Sequence, residues 1–240
     1  MEVKIYKSKQ EVAQHFSEYL KRLIQKGESI HIALSGGSTP KIVFDYLADN
    51  FKDLDWSQVH FYWGDERCVP PTDDESNYRM TDEHLFSKIS VPSTNIHRIK
   101  GEKNPSEEAV SYGELLNSTI PRSEDLPQFD LVILGMGDDG HTASIFPHEI
   151  HLWDAPNNCE VAVHPDSGQR RITLTGKVIN NAKEVAFLVT GSSKSEKIRE
   201  IMKSEGDYKT YPASLVAPNT GRLLWFLDED AAAGIATAQS

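Results

Sequence analysis

The sequence has little cysteine and no long apolar run. Cys68 and Cys159 are the two cysteines among 240 residues, and no CxxC pair occurs, so neither a disulfide framework nor a structural zinc site is expected. No segment reaches the ~18 uninterrupted apolar residues that a membrane helix needs. The first ten residues lack the apolar core of a signal peptide. We therefore expect a cytoplasmic protein with two free thiols and no membrane partner.

Positive charge is also scarce. The chain has 25 Lys and Arg against 36 Asp and Glu, which gives a formal net charge of -11. Proteins that bind nucleic acid broadly need a basic face, so nucleic acid is not an expected partner. Apolar residues make up 38% of the chain and charged residues 25%, which is typical of a globular protein. No repeat, linker or sharp change of composition interrupts it.

Short apolar segments alternate with segments of helical periodicity. Gly27 is predicted to end the first helix. Strands that alternate with helices indicate an α/β fold, in which a mainly parallel sheet is covered by helices on both faces and ligands bind at the carboxyl ends of the strands. The strands are predicted at 3–6, 29–34, 59–63, 95–98, 130–134, 171–174, 185–189 and 223–227, and the helices at 9–26, about 40–47, 77–86, 106–119 and 193–203.

The loop SGGSTP follows the second predicted strand and has the composition of an anion cradle. Gly36 and Gly37 allow backbone N–H groups to turn inward, while Ser38 and Thr39 add hydroxyl donors. Pro40 suits the first turn of a helix, so the positive end of a helix dipole would face the bound group. The alternative, which the residues leave open, is a tight turn whose helix is capped by Ser38 or Thr39.

Basic side chains occur at the ends of three further strands. Arg67, in the segment GDER, has a planar guanidinium that suits a phosphate or a carboxylate if it points into a cleft. A solvated loop with an internal ion pair is the alternative for this segment. Arg170, Arg171 and Lys194 each resemble ordinary surface charge, but at one edge of the sheet they become candidates for binding a substrate anion.

The loop GMGDDGH at 135–141 follows an apolar strand and matches the GxGxxG pattern of dinucleotide-binding proteins. Asp138 and Asp139 would however set two negative charges against a pyrophosphate. Acid–base chemistry suits the loop better, because a histidine is mostly neutral at cellular pH and His141 could act as a general base. Asp139 could then fix its tautomer. A role for His141 as the cap of a following helix remains open.

Taken together, these motifs resemble a known family. The resemblance is to the 6-phosphogluconolactonases, in the isomerase-like branch related to glucosamine-6-phosphate deaminases, and it extends over about residues 5–227. It implies one α/β domain over 1–240 with a Rossmann-like, mainly parallel sheet and a flexible tail from about residue 230. The motifs, in family order, are SGGSTP (35–40), WGDERCVP (63–70), SNYRM (76–80), GMGDDGHTASIFP (135–147) and RRITLT (170–175).

The resemblance also implies a reaction and a site. Such enzymes hydrolyse 6-phospho-D-glucono-1,5-lactone to 6-phosphogluconate in the pentose phosphate pathway, without metal or organic cofactor. His141 would activate water, and Asp139 would orient the imidazole of His141. The phosphate would lie near the loop 36–39. Arg67 and Arg171 would lie near the anionic end or the oxyanion of the substrate. Lys194 matches a phosphate-binding lysine of the deaminases. A monomer or a small homo-oligomer would act on this small molecule.

Three other functions compete with the lactonase. The deaminases carry Asp-Glu-Tyr where this chain has Asp-Glu-Arg67, and an Ala-Phe-Asn-Glu-Pro-like run where it has TASIFP at 142–147, so both departures favour the lactonase. A sugar-phosphate sensor would need a DNA-binding module, and none is expected before the predicted strand at 3–6. A dinucleotide-dependent oxidoreductase is disfavoured by the two aspartates of the third loop.

Overall fold

The structure is a computed structural model that describes residues 1–26 and 29–235. In chain order the strands are β1 (Glu2–Tyr6), β2 (Ile30–Leu34), β3 (Val59–Trp63), β4 (Asp65–Arg67), β5 (Arg122–Ser123), β6 (Leu126–Pro127), β7 (Leu131–Leu134), β8 (Cys159–Val163), β9 (Arg170–Leu174), β10 (Glu184–Val189) and β11 (Arg222–Asp228). The helices are α1 (Lys9–Ile24), α2 (Ser38–Asn50), α3 (Asn77–His84), α4 (Pro105–Thr119), α5 (Gly176–Asn180), α6 (Ser195–Lys203) and α7 (Glu229–Ala232).

Six strands form a wholly parallel central sheet in the order β1-β11-β10-β7-β2-β3. The chain moves in one direction from β1 to β2 and β3, then returns through β7, β10 and β11. Because such crossovers are almost always right-handed, this reversal places the helices of the two halves on opposite faces. The predicted α/β fold is thus confirmed. The strand order reverses between β2 and β7, where the following loops diverge and leave a crevice.

A second, antiparallel sheet has the order β4-β9-β8 and lies beyond the end of β3. The strand predicted at 171–174 exists as β9, but it belongs to this small sheet and not to the parallel one. The segment 64–67, which could have been a solvated loop, is the buried strand β4, because hydrogen bonds within the fold satisfy its two carboxylates. Strand β8 was not predicted.

One predicted strand does not form, and the predicted tail contains a short helix. No strand forms at 95–98, where a 3₁₀ turn (Ser93–Asn95) leads into a single bridge between Ile96 and Phe61. The Asn95 amide donates to the carbonyls of Ser57 and Val59, which holds this segment as a cap on the sheet edge. The tail expected from about residue 230 includes α7, and its part beyond 235 lies outside the described residues, as does Gly27.

Strands β2 and β7 are buried along their whole length, and β10 is buried at all but its first residue. Such strands, buried on both faces, read as continuous apolar runs, which is why the sequence located them well. Side chains from both halves of the sheet contribute to one apolar core. In the part of the chain that the structure describes, no helix is both long and apolar enough to cross a membrane.

The core allows a matched test of burial. Val132 on β7 is 0% exposed, whereas Val110 on α4 is 57% exposed. We expect Val132→Ala to lower the free energy of unfolding by about 1.5–3 kcal/mol, from lost burial and the cavity left behind. Val110→Ala should change it by less than about 0.5 kcal/mol. Urea denaturation measures both, and equal effects would contradict the assigned core.

Candidate active site

A cleft of about 240 Å³ opens at the carboxyl ends of the parallel strands, where the strand order reverses. The loops after β2, β3, β7 and β10 meet there, together with the start of β9. Asp139 does not line the cleft and lies behind the histidine. The further candidate Arg170 does not line the cleft, whereas the other residues of the predicted site all do: Gly36, Gly37, Ser38, Thr39, Arg67, His141, Arg171 and Lys194.

His141 and Asp139 form a hydrogen-bonded pair. The Nδ1 of His141 lies 2.6 Å from Oδ1 of Asp139, which also accepts the backbone N–H of His141. This contact places the imidazole proton on Nδ1, so Nε2 keeps a free lone pair. Burial opposes ionisation of Asp139, but the hydrogen bonds from His141 outweigh it and lower the pKa of Asp139 to about 2. The carboxylate therefore stays charged and orients the ring.

The turn that carries this pair is tight. A Cβ atom on Gly137 would lie 2.1 Å from Nδ1 of His141, so only glycine lets the ring fold back over the turn. Gly140 has a φ of +84°, a left-handed conformation that glycine adopts without strain. No α-helix follows, because the next helical segment is the 3₁₀ helix Pro147–Asp154. His141 is therefore not a helix cap, and the helix that a dinucleotide fingerprint requires is missing here.

The N-terminus of α2 faces the cleft without a capping side chain. Its N-cap is Gly37, with a φ of +106°, and Ser38 and Thr39 are its first two helical residues. The alternative in which one of these hydroxyls caps the helix is therefore wrong; Thr39 instead bonds the hydroxyl of Thr190 at 2.8 Å. Open N–H groups at the positive end of a helix dipole attract anions.

Two guanidinium groups adjoin this helix end. Arg67 and Arg171 are direct partners across β4 and β9. Burial and the neighbouring charge of Arg67 lower the pKa of Arg171, which is the cost of placing two like charges together. Arg67 donates to the carbonyl of Glu75 at 2.8 Å, and its buried Nε has no partner among the described residues. An anion between the two side chains would relieve this repulsion.

Lys194 reaches the cleft from the loop after β10. Its Nζ lies 2.5 Å from Oδ1 of Asp138, and Ser193 donates to the same oxygen. These hydrogen bonds lower the pKa of Asp138. The aspartate that would repel a pyrophosphate is thus neutralised by the lysine and joins two neighbouring loops. In the described ranges, no three His, Cys, Asp or Glu side chains form a group able to hold a metal ion.

Three buried polar residues of the site were missed from the sequence. Asp65 lines the cleft and accepts a 2.6 Å hydrogen bond from Ser144. Asn77, at the start of α3, donates to the carbonyl of Asp65. Glu66 accepts from the backbone N–H groups of Arg67, Asn77 and others, and burial raises its pKa. Apart from the bond between the neighbours Glu66 and Arg67, these contacts join residues more than ten positions apart, so no local pattern signals them.

Comparison with known proteins gives the family. Residues 6–225 match the model of the glucosamine-6-phosphate isomerases/6-phosphogluconolactonase family. The chain belongs to this family. The 6-phosphogluconolactonase of Haemophilus influenzae is 44% identical over 222 residues, 92% of each chain. The crystal structure of the devB protein superposes with a TM-score of 0.94 at 42% identity and covers 98% of this chain and 99% of its own.

A more distant family member keeps the same architecture. The structure of 6-phosphogluconolactonase from Trypanosoma brucei is 27% identical, has a TM-score of 0.86, and covers 98% of both chains. The resemblance stated from the motifs is thus confirmed at the level of the family, and the parallel sheet with its reversal of strand order is the fold that the family shares.

Gly36 offers a test of how closely the cleft is packed. A Cβ there would lie 1.9 Å from Oδ1 of Asn77, whereas a Cβ on Gly64 would meet only the carbonyl of Leu34, at 3.5 Å. We expect Gly36→Ala to displace the Asn77 amide and lower the free energy of unfolding by about 1–3 kcal/mol. Gly64→Ala should cost less than about 1 kcal/mol. Thermal denaturation measures the stability of both variants. A Gly36→Ala variant as stable as the wild type would contradict the close approach of Asn77 to Gly36.

Proposed function

We propose that this chain hydrolyses 6-phospho-D-glucono-1,5-lactone to 6-phosphogluconate, a step of the pentose phosphate pathway. One observation carries the proposal: His141, whose Nδ1 is hydrogen-bonded to Asp139, lines the same cleft as Arg67, Arg171 and the open end of α2. This arrangement supports a base beside an anion-binding wall, as the hydrolysis of a phosphorylated ester requires. The names of the relatives support the same reaction.

In the proposed mechanism, His141 acts as a general base. Its Nε2 takes a proton from a water molecule, whose oxygen forms a new bond to the lactone carbonyl carbon. Asp139 keeps Nδ1 protonated and stabilises the imidazolium that results. The bond from that carbon to the ring oxygen then breaks, and the departing ring oxygen takes the proton from Nε2 of the imidazolium. No side chain is bonded covalently, and a base of this kind contributes about 10²–10⁴-fold to the rate.

The cationic wall holds the rest of the substrate. We assign the phosphate to the N-terminus of α2 and the loop 36–39, with Lys194 beside it. The pair of Arg67 and Arg171 binds the anionic end or the developing oxyanion. Because the phosphate is remote from the reacting carbon, its binding energy positions the ring against His141 and so lowers the barrier indirectly.

The two cysteines, Cys68 and Cys159, are free, which supports a reducing cytoplasmic setting.

The direct test generates the lactone in place. Glucose 6-phosphate, its dehydrogenase and an oxidised nicotinamide cofactor supply the substrate, and the appearance of 6-phosphogluconate is followed with and without the purified chain. Acceleration is expected. Release of ammonia from glucosamine 6-phosphate, measured in parallel, distinguishes a deaminase. Ammonia without accelerated lactone hydrolysis would overturn the proposal in favour of the other branch of the family.

The base assignment predicts losses in turnover. His141→Ala should lower kcat by about 10²–10⁴-fold, because no other group in the pair takes the proton. Asp139→Asn should lower it by about 10²-fold or more, because an amide stabilises the wrong tautomer. Exposed His151 is the matched control, and His151→Ala should leave kcat unchanged. Near-normal turnover of the His141 variant, with its fold intact, would remove it from the mechanism.

The arginine assignment predicts a change in substrate affinity. Arg67→Ala and Arg171→Ala should each raise KM for the phosphorylated lactone by about 10-fold or more, because each removes a charge-assisted hydrogen bond. Arg170 is the exposed neighbour on the same strand, so Arg170→Ala should leave KM within about twofold. The unphosphorylated lactone is assayed alongside. If preference for the phosphorylated form is unchanged in both cleft variants, neither arginine binds the phosphate.

A further inference from the structure

Tyr211 lies directly behind the turn that carries His141. It sits between two 3₁₀ turns, Tyr208–Thr210 and Pro212–Leu215. A Cβ atom on Gly140 would lie 2.6 Å from both Cβ and Cγ of Tyr211, so the tyrosine packs against the bare glycine backbone. The backbone N–H of Ala213 donates to the carbonyl of Gly140 at 3.0 Å, which ties the same segment to the turn.

The phenol of Tyr211 is itself anchored to α6. The Nζ of Lys197 donates to its Oη at 2.7 Å and lies over its ring at 4.4 Å from the centroid. The Oη donates in turn to Glu200 at 2.5 Å, and Tyr211 is only 6% exposed. The cation of Lys197 and the carboxylate of Glu200 thus hold the phenol by two hydrogen bonds. The cleft residue Lys194 is the N-cap of helix α6, so it lies directly before the helix that carries the anchor.

The turn has few bonds of its own. Within 137–141, the carbonyl of His141 accepts from Gly137, and the carbonyl of Gly137 accepts from Gly140. Two of its five residues are glycines, which lose more conformational freedom on folding than any other residue. The hydrogen bond between His141 and Asp139 has useful geometry only while this turn stays in place. A displacement of about 1 Å in catalytic groups can cost about 100-fold in rate.

We propose that Tyr211 is a positioning residue for catalysis, which holds the Gly140 backbone and thereby aims the His141 imidazole at the substrate. This inference rests on the proposed role of His141 as the base. Tyr211 does not line the cleft, so it acts through the turn and not on the substrate. Its loss therefore lowers kcat and leaves KM nearly unchanged. A residue that only stabilised the fold would lower the fraction of folded enzyme and leave kcat per folded molecule intact.

The experiment compares three variants in the lactonase assay, with the concentration of folded enzyme set by circular dichroism. Tyr211→Phe keeps the ring on Gly140 but loses the bonds to Lys197 and Glu200, so kcat should fall about 3–10-fold. Tyr211→Ala also loses the packing, so kcat should fall about 30–100-fold. KM should stay within about twofold in both. Tyr208, half-buried in the same segment, is the matched control, and Tyr208→Ala should leave kcat unchanged.

A spectroscopic measurement separates this proposal from the catalytic assignment. In proton NMR spectra, the proton on Nδ1 of His141, which is hydrogen-bonded to Asp139, should give a strongly downfield resonance in the wild type and in Tyr208→Ala. It should move upfield or broaden in Tyr211→Phe and more so in Tyr211→Ala. An unchanged resonance together with unchanged kcat in Tyr211→Phe overturns the positioning role, even if Tyr211→Ala does not fold. Normal activity of His141→Ala would instead overturn the base assignment.

Discussion

The reversal of strand order between β2 and β7 is the constraint on which the site depends. Two adjacent parallel strands end side by side, and their connections leave in opposite directions, so the chain cannot cover the gap between them. The open helix end after β2 and the turn that carries His141 after β7 are the two loops at that gap. The other groups of the cleft come from neighbouring strand ends and from the starts of α3 and β9. The fold thus creates the crevice, and the loops supply its chemistry.

A second theme is the concentration of positive charge in an acidic protein. The net charge of -11 would oppose an anionic ligand at long range. Two arginines held side by side, an ion-paired lysine and an uncapped helix end reverse the field locally. Local fields in a cleft of low dielectric outweigh the average charge of the surface, which salt screens. The acidic excess serves solubility, and the cleft keeps its own sign.

Close backbone approach is the third feature, and it explains where glycine is indispensable. At Gly36, Gly137 and Gly140, a side chain would overlap Asn77, the imidazole of His141 and Tyr211, respectively. Each glycine lets a polar or aromatic group from elsewhere in the chain lie directly on the loop backbone. Loops that are flexible in isolation are in this way fixed by contacts from distant segments, which is the form of preorganisation that catalysis needs.

Local sequence patterns are enough to locate the fully buried strands, the longer helices and the loops that line the cleft. Continuous apolar runs and helical periodicity are local properties, and the motifs of the loops are contiguous. The pair of Asp139 and His141 is also local, because two residues in one tight turn can bond each other without any long-range contact. By contrast, strands β4, β8 and β9 pair into a separate antiparallel sheet, which sets Arg67 against Arg171, through contacts that exist only in the folded chain. Their register depends on strands about a hundred residues apart, and no local pattern encodes such a pairing.

The same reason separates the remaining successes from the failures. The segment at 95–98 contains a single apolar residue, Ile96, and forms a single bridge to Phe61 instead of the predicted strand. In the sequence, Glu66 cannot be told from a charged surface residue. In the structure it is buried, and its carboxylate accepts hydrogen bonds from the start of α3. Tyr211 belongs to no motif, and its contact with Gly140 exists only because α6 and the following turns fold back over the loop that carries His141. The chemical type of each residue can be read from the sequence. Its burial and position depend on contacts between distant segments, and these contacts form only in the folded chain.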